Sequence, residues 1–319
     1  MNISVFSEHG TSNAQSAELP TLLARPDITI WVDMLGPTAE DLKVMETVFH
    51  FHPLAIDDTK NQHQRPKVEE FQGYFFTILN SVYFDDGEYN FKELDVFIGQ
   101  NYLVTVHKDA EKLIDAMEVE VKSRPPVTGR ITSGYLMYLL ADLVVDSYFP
   151  ITDHVSDQID EFEELILSRP KQGIISQLFT LKRNLTEMWR VSGQQRDMFN
   201  VLMNRSFFAN DQALQFYYRD VYDHVLRISD IISTYRDTLA SLMDLYLSSV
   251  SNRLNVVVNR LAVITIVIGL LTVISGFYGM NFEHTWPDIH DPNGVPIVLF
   301  AMVVLVGGAL AIMKWRDLF

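Results

Sequence analysis

The sequence predicts an α+β membrane protein: an N-terminal α/β cytosolic domain, long antiparallel helices, and a long stalk helix running into the first of two C-terminal transmembrane helices. Three observations predict it. Residues 1–132 carry 21 acidic and 11 basic residues, whereas residues 261–319 carry only 4 and 2. Leu261–Met280 and Val295–Met313 run for 20 and 19 residues without a charge. Each is long enough to cross about 30 Å of hydrocarbon as a helix. From Asp211 the chain has no Pro or Gly until Gly269, which predicts one uninterrupted helix entering the first apolar run.

The elements follow in order. Residues 1–25 are polar and read as irregular. Ile28–Asp33 reads as a strand, and Thr38 with Asp41 forms a capping box that opens a helix to about Phe49. Pro53–Lys60 reads as a short helix. Tyr74–Phe84, Phe91–Gly99 and Tyr102–His107 are β-branched and aromatic, with turns at Asp85-Asp86-Gly87 and Gln100-Asn101. A helix near Asp109–Ser123 ends at Arg124-Pro125-Pro126. Beyond it the period is helical. Leu136, Leu140, Leu143, Val144 and Ser147 form one stripe, and Leu178, Leu181, Leu185 and Met188 another. Pro150 kinks or restarts the first helix and Pro170 separates the two. Asp153–Glu164 holds six acids and no base. The stalk repeats apolar residues at Val221, Val225, Ile228, Ile232, Leu239, Leu242, Leu245 and Val250. Its roughly 50 residues before the membrane span about 75 Å, too long for its own chain to cover, so an oligomer is expected. The expected division is 1–127 (α/β domain), 128–210 (helical hairpin), 211–260 (stalk), 261–280 (first span), 281–294 (external loop), 295–313 (second span) and 314–319 (cytosolic tail).

Composition narrows the function. A net charge of −16 is wrong for a nucleic-acid partner, because phosphates need a surplus of Lys and Arg; it suits cations. The absence of Cys excludes disulfides, thiolate zinc sites and cysteine nucleophiles. No phosphate-cradling Gly loop, HExxH or nucleophile elbow occurs, so an enzyme is not expected. The N-terminus MNISVFSEHG lacks the charge and apolar run of a signal peptide. Arg253 and Arg260 precede the first span, Lys314 and Arg316 follow the second, and the loop between has acids alone, Glu283, Asp288 and Asp291. The positive-inside rule then puts both termini in the cytoplasm of a cell (inner or plasma) membrane. The three loop acids would gather cations outside.

The first span has a face of its own. Asn255, Asn259, Ala262, Thr265, Gly269, Thr272, Gly276 and Gly279 recur in steps of three and four, on one side of a helix otherwise made of Leu, Ile, Val and Phe. Small residues permit close helix packing. They also leave room for a hydrated ion, with Asn and Thr oxygens facing its water shell. Both readings stand on the pattern alone. A pore built from one such span per chain requires several chains around an axis.

Phe277-Tyr278-Gly279-Met280-Asn281 closes this span before a short acidic loop, a second span and a Lys314-Trp315-Arg316 tail. In this arrangement the chain resembles the CorA family of divalent-cation channels, whose signature is Tyr-Gly-Met-Asn at this place. His52-Pro53-Leu54 to Asp58, Gln64–Glu69, Tyr218–His224 and Tyr246–Asn252 match as well, so the resemblance covers about residues 28–319. It implies a homopentameric funnel in the lipid bilayer that imports Mg²⁺, often with Co²⁺ or Ni²⁺, and is closed by cytosolic Mg²⁺ bound between subunits. No organic cofactor is implied. Gly279, Met280 and Asn281 would ring the outer pore mouth. Asn255 would stand at the inner end, Leu261 at an apolar constriction, and Thr272 and Gly276 along the pore. Gly269 departs from the bulky apolar residue often found there, and Leu270 from the proline that often follows.

For the regulatory metal the resemblance points to Asp58 and Asp220, with Asp57 and Asp223 beside them. Mg²⁺ needs one or two carboxylates plus waters, and its loss would leave like charges opposed across an interface. Asp220 paired with Arg219 is the structural alternative. His50, His52 and His63 near Asp57 and Asp58, and His284 and His290 near Asp288, read as surface histidines before metal ligands. Two other functions compete. One is a ZntB-like zinc transporter on the same scaffold, against which Met280 stands, since Val is usual there. The other is a non-conducting membrane-anchored Mg²⁺ sensor or scaffold, which has no need of a polar stripe.

Overall fold

The computed structural model describes residues 1–8, 10–61, 64–85, 87–109, 111–124, 126, 129–168, 173–204, 212–280, 286–288 and 291–315. Its contacts divide into two units: Met1–Glu163 with Ser176–Ala240, and Glu164–Ile175 with Ser241–Phe319.

The first unit is built on one seven-stranded mixed sheet, in the order β2-β1-β3-β7-β6-β5-β4. The strands are β1 (Asn2–Ser7), β2 (Gly10–Asn13), β3 (Thr29–Leu35), β4 (Lys67–Phe71), β5 (Tyr74–Asp85), β6 (Glu88–Gly99) and β7 (Tyr102–His107). β3 and β7 are parallel and every other pair is antiparallel. The short helices α1 (Leu19–Leu23), α2 (Ala39–Thr47) and α3 (Pro53–Lys60) join the core on one face. There Phe76, Ile78, Phe97, Val104 and Val106 meet Met45, Phe49, Phe51, Ala55 and Ile56. The expected capping box opens α2: Asp41 N–H donates to Thr38 Oγ1 (3.2 Å) and Thr38 N–H to Asp41 Oδ2 (2.9 Å).

α4 (Glu111–Ser123) packs on α5 (Ser133–Asp146), and α5 lies against β3, β5, β6 and β7. α5 is buried from Ser133 to Ala141 and again at Val144 and Val145. It is a central helix, not the single-stripe half of a hairpin that the sequence suggested. A separate α6 (Phe149–Ser168) restarts with Pro150 in its first turn, where a missing N–H costs nothing. α6 and α7 (Ile174–Met203) are the two long helices. Of the two outcomes expected at Pro150, a kink or a restart, the chain takes the restart, so three helices occupy residues 133–203; Pro170 lies outside the described residues.

The reading of residues 1–25 as irregular is corrected. β1 pairs with β3 in register Asn2↔Asp33 to Phe6↔Thr29 and buries Ile3, Val5 and Phe6. A six-residue strand followed by GTSN carries too little periodicity to stand out from a polar terminus. β4 was also unread, because Lys67-Val68-Glu69-Glu70-Phe71 looks like a charged loop until β5 pairs with it.

α8 (Gln212–Tyr278) is one helix of 67 residues, and α9 (Gly294–Trp315) has 22. In α8, Val221, Val225, Ile228, Ile232, Leu239 and Leu242 are buried as the periodicity predicts. Both helices are long and apolar enough to cross a membrane. Val273 is 72% exposed and Val303 70%, so protein does not cover these faces. Lipid is the solvent that can, since a helix satisfies its own backbone there.

A tight contact ends β6. A Cβ on Gly99 would run into the Tyr102 ring, which stacks edge-on against Phe49 at 5.1 Å. Gly99→Ala should destabilise the fold by about 1–3 kcal/mol through overpacking. A thermal melt of the detergent-solubilised chain should show a lower midpoint; an unchanged one would mean the ring yields freely.

Candidate functional site

Asp142 and Asp146 stand one turn apart on α5, at spacing i,i+4, which stacks them on one face. They are the acidic interruption of an otherwise apolar helix. The fully buried Tyr218 of α8 donates its hydroxyl to Gly134 O at 2.8 Å and so fixes α8 against α5. His224 lies six residues further along α8 and reaches the two carboxylates; ligand atoms of Asp142, Asp146 and His224 all lie within 4.8 Å of one another. The Phe149 ring meets the imidazole edge-on at 5.7 Å. His224 Nδ1 is buried with no hydrogen-bond partner among the described residues.

Electrostatics leave this group short of positive charge. Arg124 donates to Asp142 Oδ2 at 3.0 Å and to Tyr138 Oη at 3.1 Å. Asp146 has no such partner in its favour: burial first, then repulsion by Asp142 and more weakly by Asp220, raises its carboxyl above the usual range, against His224 and Arg124. Two carboxylates and an imidazole suit a divalent cation that keeps some of its waters. Among the described residues this is the one group of three such ligands.

The four acids named from the sequence are placed differently. Asp58, near the end of α3, is half-buried and ion-paired with Lys67 Nζ at 2.6 Å; the same ammonium reaches Glu69 Oε1 at 2.9 Å. Asp57 is exposed and accepts from Asn61 Nδ2 at 3.2 Å. Asp220 and Asp223 are exposed on α8, on either side of the turn that leads to His224. His52 is the N-cap of α3, its Nδ1 accepting from Leu54 N–H at 3.2 Å, which is a structural role. His63, His284 and His290 lie outside the described residues.

On α8 the small and polar face is open. Asn255, Ala262, Thr265, Gly269, Thr272, Gly276 and Gly279 are exposed, Asn259 is half-exposed, and Leu261 and Met280 are 58% and 57% exposed. A Cβ on Gly269 or Gly276 would touch nothing. The covered residues of this stretch, Val263, Val267, Leu270, Ile274 and Tyr278, form a stripe on roughly the opposite side of the helix. Thr265 and Thr272 hydroxyls each donate back to a carbonyl one turn earlier at 2.8 Å. Their lone pairs remain as acceptors facing outward. Asn281 and Glu283 lie outside the described residues. Asp291 Oδ1 accepts from Asn293 N–H at 2.8 Å, and Asp288 O from Asp291 N–H at 3.1 Å, both ahead of α9.

Sequence reasoning missed the Asp142–Asp146–His224 group. One signal was available, an i,i+4 acidic pair on a helix as apolar as α5. The partner lies some 80 positions away and could not be read locally.

A family model described as CorA-like Mg2+ transporter protein matches residues 27–314. The YfjQ protein of Bacillus subtilis is 32% identical over 290 residues, covering 90% of this chain and 89% of its own. The cobalt/magnesium transport protein CorA of Thermotoga maritima is 32% identical over 310 residues, covering 96% and 87%. The complete structure of the CorA magnesium transporter from Methanocaldococcus jannaschii superposes with a TM-score of 0.81 over 98% of this chain and 97% of that one, at 22% identity.

A cation binding at Asp142, Asp146 and His224 competes with protons for the same ligand atoms, and the raised Asp146 carboxyl strengthens that competition. Co²⁺ affinity, followed by equilibrium dialysis, should therefore fall as pH is lowered from 7 to 5. Asp146→Asn should flatten that dependence, and an identical pH profile in the variant would exclude Asp146 as a ligand.

Proposed function

The chain belongs to the CorA family, and on that premise we propose that it is a homopentameric channel conducting hydrated Mg²⁺, with Co²⁺ and Ni²⁺ as further cargo. Five α8 helices surround one axis in the membrane, with both chain termini in the cytoplasm. Import is driven by the membrane potential, which contributes roughly 4.6 kcal/mol for two charges at 100 mV. The protein catalyses no bond change in this reading.

One observation carries the proposal: the open face from Asn255 to Gly279, which ends at the Gly279-Met280-Asn281 tripeptide of the sequence. Mg²⁺ gives up water reluctantly, so a pore for it is lined best by acceptors that bond to its bound waters. The outward lone pairs of Thr265 and Thr272 and the amide oxygens of Asn255, Asn259 and Asn281 are of that kind. A ring of Leu261 closes the path by dewetting. Glu283, Asp288 and Asp291 concentrate cations at the outer mouth.

Closure belongs to the acids of the cytosolic unit. Cytosolic Mg²⁺ bridges Asp57 and Asp58 of one copy to Asp220 and Asp223 of the next. Asp142, Asp146 and His224 extend that negative surface, since Asp220 already acts on Asp146 electrostatically. Without the ion these carboxylates repel one another and the copies separate.

Liposomes holding the chain should take up Mg²⁺, and Asn281→Ala should slow uptake about tenfold or more, tenfold being a loss of about 1.4 kcal/mol summed over the ring. No uptake by the wild type would leave a non-conducting sensor, and Zn²⁺ uptake that follows a pH gradient would mark a zinc transporter. Asp220→Ala should weaken inhibition by internal Mg²⁺, and intact inhibition would sink the regulatory assignment. Leu261→Ala should leak at high internal Mg²⁺; unchanged closed-state flux would remove that constriction.

A further inference from the structure

We propose that Asp95 is a positioning residue of the closing switch, the internal acceptor onto which the Lys67 ammonium moves when a divalent cation takes its place on Asp58. The inference rests on the regulatory reading of Asp58.

The sheet register puts the two residues in one row. Lys67 of β4 stands opposite Ile78 of β5, Ile78 opposite Asp95 of β6, and Asp95 opposite Val106 of β7. Directly paired residues share a face, here the one that carries Ile78 and Val106 and lies toward α3. Two strand spacings separate the Lys67 and Asp95 backbones by roughly 10 Å. A four-carbon lysine stem is long enough to cross most of that gap, past the Ile78 side chain, and the Asp95 carboxyl the remainder.

Asp95 has the character of a vacant acceptor. The residue is 0% exposed, and neither carboxylate oxygen has a hydrogen-bond partner among the described residues. A buried ionised carboxylate left like this costs several kcal/mol. Burial first, then the charges of Glu93 on the same strand and Asp58 on α3, push its carboxyl well above the usual range, against the pull of Lys67 and Lys108. These surroundings favour the protonated acid, and an arriving ammonium favours the carboxylate, with the proton passing to water.

Lys67 is the group in need of such an acceptor. Its ammonium is held by Asp58 at 2.6 Å and Glu69 at 2.9 Å, and its side chain is only 23% exposed. A dication and an ammonium compete for the same Asp58 oxygen. Once displaced, Lys67 would keep Glu69 alone in a half-buried site. Asp95 restores the lost ion pair and so lowers the Mg²⁺ concentration at which Asp58 is taken.

The test is the internal Mg²⁺ needed to half-close flux in proteoliposomes. Asp95→Asn should raise it about tenfold, the loss of one charged hydrogen bond. Lys67→Met should lower it, since nothing then competes for Asp58, and adding Asp95→Asn to Lys67→Met should change nothing more. The near-isosteric Asp95→Leu serves as a second variant, and the thermal midpoint of each confirms folding. A wild-type response from Asp95→Asn, or an equal shift with and without Lys67, would overturn the inference. Asp58→Asn separates the two readings: if it leaves Mg²⁺ closure intact, the regulatory site itself fails, whereas its loss of closure beside a silent Asp95→Asn defeats the role of Asp95 alone.

Discussion

Among the described residues, no strand pairs with the outer edge of β5 beyond Ile78, because β4 covers only Tyr74–Ile78. Side chains close that edge instead. Asn80 N–H donates to Gln195 Oε1 (2.7 Å), Tyr148 Oη donates to Asn80 O (2.9 Å), and Val82 N–H donates to Ser147 Oγ (3.0 Å). A buried backbone group left unpaired would cost about 1–3 kcal/mol. Three such bonds clamp the α5–α6 junction and α7 to the sheet. The placement of α5 then decides where Asp142 and Asp146 stand, and the Tyr218–Gly134 bond brings His224 to them.

Charge is distributed with the same economy. Arg124 answers Asp142, and Lys67 answers Asp58 and Glu69, but Asp146 and Asp95 sit in raised-pKa environments without a dedicated cation. A protein selected only for stability would pair or remove such groups. Asp146 feels the charge of Asp142 and Asp220, and Asp95 that of Glu93 and Asp58, so each carries a repulsion that a nearby cation would relieve.

In the apolar helices the constraint is of another kind. Lipid offers no hydrogen bonds, so α8 must remain helical, and its only freedom lies in which side chains face which neighbour. Val273 and its exposed apolar neighbours form a surface suited to lipid, while the glycines, threonines and asparagines share a separate, mostly exposed face. Back-bonding of Thr265 and Thr272 turns their hydroxyls into acceptors, the polarity that a hydrated cation requires.

Much of this was legible in the chain. Capping at Thr38, the stalk periodicity, both apolar runs, the small-residue face and the Tyr-Gly-Met-Asn signature depend on neighbours a few positions apart, so sequence alone determined them. β1 within the sheet, the buried centrality of α5, the Asp58–Lys67 pair, the burial of Asp95 and the meeting of Asp142 and Asp146 with His224 depend on elements far apart in the chain. Tertiary structure decided these, because a strand at a polar terminus gains its hydrogen bonds, and a carboxylate its burial and its neighbours, only when distant segments pack together.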